Sequence, residues 1–458
     1  MKKAKIILLC ACGLLFIPRS VAQGDFKATI YLKGIVSDSL NSFWTHSNTD
    51  GLITPLTAGV GEFTPEYTYT FRNEDSLVVG AGAFFATQTE KNEWGLIQAF
   101  AQYRHKSFGI TVGARKRPEY FYGLSGVGGD ILWSGNARPI PGVLLETIKP
   151  IRLTEGISIE GGLGHFRTFD ERVIQDANIH YKYGLANFNI SRDDKLSFGF
   201  VHYALWGGVS SDFGPQPQGM GDFLKIFLGQ GEEANPDNEN PENALGNHIG
   251  SYRGRYEHSW WENTLSFYYQ SILEDKDGFA LKNLPDGVWG VSLDLPERRF
   301  FNAVVYEYVQ TTARRGDPTF GADNYFNNTT YESGWTYYGA TIGMPFIRPN
   351  PVRPGIQNNV LQAHHLGLMG IIDRFTYRIK GSYVKNFGLN SDPEPFVARD
   401  LYTYFELRFQ TERIGRFGIS FGYDINELRD NNLSLGLEYR YVIGGSGDDG
   451  HHHCRCRY

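Results

Sequence analysis

The sequence predicts an all-β fold, a transmembrane antiparallel β-barrel of about 18 strands, bracketed at 16–18, with a short helical segment in one loop. Three observations predict it. The chain ends in segments whose apolar residues recur at every second position, the period of a strand. It carries 54 Gly, 27 Tyr and 32 Phe against four Cys and four Met, a mixture suited to sheets with tight turns. Beyond the first residues it has no apolar run of the ~18 residues that a spanning helix needs, whereas a barrel strand needs only ~9–11 with one apolar face.

The N-terminus reads as an export signal. Three lysines fall within Met1 to Lys5, the run Ile6 to Ile17 is apolar or small, and Ser20 and Ala22 place small residues before a cut expected after Ala22. Leu9-Cys10-Ala11-Cys12 is a poorer lipoprotein box, because cutting there would leave half the apolar run behind. The expected division is a signal peptide over 1–22, an outer-membrane barrel over 23–443 and a flexible tail over 444–458. Loss of the leader removes four basic residues and no acid, which moves the net charge from −6 to −10 and argues against a nucleic-acid partner. Cys10 and Cys12 leave with it, and Cys454 and Cys456 lie in the tail, so no disulfide framework holds the fold.

Along the chain, alternation is weaker at first and clearest at the end. Leu77 to Phe85, Phe108 to Ala114, Ile157 to Leu163, Leu265 to Tyr269 and Phe375 to Tyr383 each show period two. Then come Phe405, Leu407 and Phe409; Phe417, Ile419, Phe421 and Tyr423; and Leu433, Leu435, Leu437, Tyr439, Tyr441 and Ile443, joined by short polar turns as in a meander. A soluble sandwich alternates too, but the leader, the aromatic content and the lack of disulfides favour a barrel with its apolar face outward. Glu406, Arg408, Glu438 and Arg440 are then expected in a polar lumen, and Tyr402, Tyr404, Tyr439 and Tyr441 at the lipid headgroups.

Two segments break the rhythm. Gly221 to Gly229 reads as two helical turns after the Pro215/Pro217 loop, and Gly231 to Asn247 as an acidic solvated loop whose spacing lacks a calcium-binding pattern. The glycine-rich pieces Gly123 to Gly129 and Gly161 to Gly164 precede no helix and read as turns and close-packed strand positions rather than phosphate cradles. Arg315-Gly316-Asp317 reads as loop. The histidines, from His46 to the pair His364-His365, match no nucleophile, metal or acid–base spacing, so neither catalytic residue nor metal nor cofactor is expected. His451 to His453 with Cys454 and Cys456 read as part of the tail rather than a metal site. Trp206, Trp260, Trp261, Trp289 and Trp335, with Tyr337 and Tyr338, are candidates for stacking on sugar rings, with interfacial anchoring as the plainer role.

Leu132-Trp-Ser-Gly-Asn-Ala-Arg-Pro-Ile-Pro141, Trp206-Gly-Gly208, Asp222 to Gly229, Asp323 to Asn328, Tyr331 to Gly339 and Ile342 to Pro345 together resemble the capsule-assembly Wzi family of outer-membrane proteins. The resemblance implies an eighteen-stranded, non-enzymatic lectin that helps attach capsular polysaccharide to the cell surface. It also implies a small periplasmic helical bundle, whereas here only Gly221 to Gly229 reads as helix. The polysaccharide-binding candidates are Asn136, Arg138, Trp206, Trp335 and Tyr337. The expected partners are capsular or surface polysaccharide and outer-membrane lipid, with the chain a monomer. The alternative is an outer-membrane porin or solute channel.

Overall fold

A computed structural model describes residues 24–88, 91–211, 214–230, 245–274, 276–296, 300–314, 323–389 and 393–445. The expected leader, the acidic loop at 231–244, Arg315 to Asp317 and the His/Cys tail lie outside the described residues.

Eighteen strands form one antiparallel barrel. In chain order they are β1 Gly24–Ser37, β2 Thr57–Thr70, β3 Ser76–Gln88, β4 Glu93–His105, β5 Phe108–Ala114 and β6 Gly142–Thr147, which resumes at Ile151–Arg152. Next come β7 Ile157–Arg167, β8 Asn178–Asn189, β9 Asp194–Trp206, β10 Asn247–Trp260, β11 Asn263–Ser271 and β12 Gly287–Asp294. The ring is completed by β13 Ala303–Gln310, β14 Leu361–Ile372, β15 Phe375–Gly388, β16 Pro393–Gln410, β17 Arg416–Asn426 and β18 Asn432–Gly444. β1 pairs with β2 on one side and β18 on the other, with Ile30 opposite Tyr441 and Leu32 opposite Tyr439, so no edge is left to be satisfied in lipid.

Connections at one end are short, such as 71–75, 106–107, 261–262 and 373–374, and those at the other are long, notably 38–56, 115–141, 207–246 and 311–360. That asymmetry is the one outer-membrane barrels show, short turns facing the periplasm and long loops the exterior. The outer face is apolar: Phe85, Val112, Leu163, Phe267, Ile379, Phe421, Leu435 and Leu437 are all exposed. The inner face carries charge, with Arg408 Nε 2.9 Å from Glu438 Oε1 and also paired to Glu406. Period two thus placed Glu406, Arg408 and Glu438 correctly.

Tyr402 and Tyr404 correct one expectation. Both share the parity of Glu406 and Arg408, so they point into the lumen and are 3% and 7% exposed instead of meeting headgroups. The loops explain why a ring is useful there. Helix α1, Phe43–His46, turns inward from the first long loop; Phe43 stacks on Tyr402 at 4.2 Å, and Trp44 Nε1 donates to Ser382 Oγ at 3.1 Å. The main apolar cluster lies inside the barrel, where Val127, Ile131, Leu132, Trp133, Tyr325, Phe326, Trp335 and Phe346 of the loops pack on Tyr181, Tyr203, Ile249, Val309 and Ala363 of the wall. A buried carboxylate tethers the plug: Glu307 on β13 accepts from Ser125 Oγ, Gly126 N, Val127 N and Tyr268 Oη at 2.6–3.2 Å.

Helix α2, Met220–Leu228, falls on the segment read as helical and ends where Gly229 takes a left-handed cap at φ 65°. Among the described residues the only other helices are short ones at Phe121–Gly123 and Lys276–Phe279.

Candidate functional site

The two motif blocks fold against each other. Ser134 N donates to Ile342 O at 2.9 Å, Met344 N to Ile131 O at 3.0 Å, and Ser134 Oγ to Gly343 O at 2.8 Å. Any side chain at Gly343 would sit 2.3 Å from the Ile131 carbonyl, which is why this crossing takes glycine. Asn136 Nδ2 donates to Thr341 O and Oγ1 at 3.0 Å, and its Oδ1 accepts from Asn48 N at 3.1 Å. Trp335 Nε1 donates to Leu132 O at 2.5 Å, with its ring against Trp133 and Tyr203. Asn136 and Trp335 therefore spend their polar groups joining loops.

Around that joint, at the loop end of the wall, lies a more open group. Arg138 Nη2 is 2.6 Å from Glu93 Oε2, and the guanidinium lies 4.4 Å from the Tyr338 ring centroid, a cation–π contact. Tyr338 holds a positive φ of 49° and its N donates to Asp170 Oδ2 at 3.1 Å; 47% of its surface stays exposed. Tyr337 meets that ring edge-on at 4.8 Å and is itself buried. On the adjoining loop Phe169 is 57% exposed, with Arg167 5.8 Å from its ring and paired to Asp176 at 3.2 Å.

Four of the five sequence candidates, Asn136, Arg138, Trp335 and Tyr337, thus come together in the mouth, with Trp335 and Tyr337 inside its packing. Trp206 does not join them. It lies on the outer wall, 5.7 Å from Phe223 of α2 and 5% exposed. Nothing local in the sequence distinguishes Arg167 and Phe169, at and just past the end of β7, from any other strand end, and Tyr338 stands among the sequence candidates only together with its buried neighbour Tyr337.

Beneath the plug a cavity of about 910 Å³ reaches the short-turn end. Arg104, Arg115, Lys116, Arg117 and Arg253 line it with Glu146 and Asp130. Asp130 is its hinge: Oδ1 accepts from Arg253 Nη2 at 2.7 Å and from the amides of Leu132 and Trp133 at 3.0 and 3.2 Å. Burial pushes the Asp130 carboxyl up, but Arg253 and Arg117 outweigh it and hold it below the usual carboxylate range.

A closed apolar-walled barrel whose outer mouth is filled by its own long loops is an outer-membrane protein of the plugged-barrel class. The chain belongs to the capsule assembly protein Wzi family, whose model matches residues 24–348. Among solved structures it is similar to Wzi of Escherichia coli, described as a carbohydrate-binding β-barrel involved in group 1 capsule assembly; the TM-score is 0.58 at 15% identity, covering 95% of this chain and 87% of that one. It is also similar to OccK3 (OpdO) of Pseudomonas aeruginosa, with a TM-score of 0.50 at 10% identity over 92% of this chain and 96% of that one. These likenesses speak to the fold. No curated protein matches the sequence.

Proposed function

We propose that the chain is a non-enzymatic carbohydrate-binding barrel that holds capsular or other surface polysaccharide at the outer face of the cell. Family membership supports the capsule setting, and the carbohydrate binding of the Escherichia coli relative supports the ligand class. The observation that carries the reading is the half-open Tyr338 ring with Arg138 over it, tied through Asp170 to the loop on which Phe169 and Arg167 stand exposed. The apolar C–H face of a sugar complements such rings, while guanidinium and carboxylate groups bond its hydroxyls. Asn136, Trp335 and Tyr337 serve by fixing the loop that presents Tyr338. No covalent step enters.

The remaining parts of the reading are export with cleavage after Ala22, a barrel over 23–443 bathed in outer-membrane lipid as a single copy, a tail over 444–458, and no nucleic-acid partner. The basic cavity favours a second reading, a solute channel, but the apolar loop cluster in the outer lumen weighs against it; planar bilayers containing the protein are expected to show no steady conductance. Deleting the gene is expected to leave polysaccharide export intact while the polymer is shed into the medium. Surface-bound polymer at the normal level in the deletion strain would overturn the reading.

A further inference from the structure

α2 sits on the outside of the barrel. On β8 and β9 the outward-facing positions include Phe198, which is exposed, and by the same parity His180, Lys182, His202, Ala204 and Trp206. His248 of β10 stands opposite Ala204 on that face. Yet His180, His202 and His248 are only 1%, 4% and 6% exposed: α2 covers His180, and His248 bonds the Leu245 carbonyl at 2.8 Å where the chain returns from the helix. Phe223 and Phe227 lie 5.5 and 5.3 Å from the His180 ring, the Lys182 ammonium donates to the Phe227 carbonyl, and His202 Nε2 lies 2.8 Å from His248 Nδ1.

One exposed flank of α2 is also apolar, next to Lys225, while Asp222 lies on the opposite flank. Met220, Leu224 and Leu228, four residues apart and so in one stripe, are 77%, 55% and 62% exposed. Lys182, which the helix contacts, lies four residues inside the loop end of β8, about 10 Å along a tilted strand, which puts the helix over the wall rather than above the rim. Bare histidines and a lysine there would face hydrocarbon, an expensive exposure. The helix sets an apolar stripe on the side of the barrel where Leu163, opposite Lys182, and Phe198 are exposed.

We propose that α2 is a lipid-facing element: Met220, Leu224 and Leu228 lie among the acyl chains of the outer leaflet, and the helix shields a polar sector of the barrel from them. The proposal rests on the outer-membrane reading, and the test separates the two. Leu224→Cys, Phe198→Cys and Val352→Cys are each made with Cys454→Ser and Cys456→Ser, spin-labelled, and reconstituted in phosphatidylcholine–phosphatidylethanolamine vesicles. Collisions with oxygen and with a water-soluble nickel chelate are then compared. The label at 224 is expected to follow that at 198, open to oxygen and closed to nickel, while that at 352, in a long loop, is open to nickel. Nickel access at 224 with 198 still protected would overturn the proposal while leaving the barrel intact; nickel access at both would overturn the barrel reading itself. Spin–spin broadening between copies at 224 would assign the stripe to a second chain and likewise overturn it.

Discussion

Trp335 and Tyr338 stand three residues apart on one loop and behave oppositely. Trp335 is fully buried, bonded to Leu132 and packed on Trp133 and Tyr203. Tyr338 is half exposed, held by Arg138 on its ring and Asp170 on its amide. The most distinctive residues of the motif make the joint between loops, and the ring available to a ligand is a neighbour whose position the joint sets.

That division can be broken or sharpened by substitution. Trp335→Ala is expected to cost about 3–5 kcal/mol, the range for truncating a buried aromatic, and to lower the unfolding temperature of the detergent-solubilised barrel markedly. A melting curve like that of the parent would erase the distinction between the two positions. Asn136→Ala strips three hydrogen bonds from buried backbone and hydroxyl groups and should cost about 1–3 kcal/mol by the same measurement. Arg138→Lys keeps the charge toward Glu93 but loses the planar contact with Tyr338; about 0.5–1 kcal/mol is expected, with more disorder at Tyr338 than at Trp335 in hydrogen exchange or spectroscopy.

How much of this was legible varies with the range of the interaction. The wall was readable because alternation is local: Leu433 to Ile443 announce their outward face without reference to anything else. Tyr402 and Tyr404 face inward because they share the parity of Glu406 and Arg408, and β16 extends back to Pro393, farther than local alternation reveals, so neither lies at a strand end. α2 was readable as a helix, but which side of the barrel it covers depends on what β8, β9 and β10 present. Strand register sets Lys182 beside His202 and Ala204 beside both His180 and His248, and no spacing in the chain records that. The burial of Trp335 is likewise long-range, since its partner carbonyl lies at Leu132.

The most direct test of the central claim is equilibrium binding of purified barrel to surface polysaccharide from its own cells, comparing the parent with Tyr338→Ala and with Tyr338→Ala combined with Phe169→Ala. The single change should weaken binding roughly 5- to 30-fold, as for an aromatic contact worth ~1–2 kcal/mol, and the double change further, with Tyr338→Ala lowering the unfolding temperature no more than Arg138→Lys does. Parental affinity in the double variant, with the fold intact, would contradict the assignment of the Tyr338 platform as the place where carbohydrate is held.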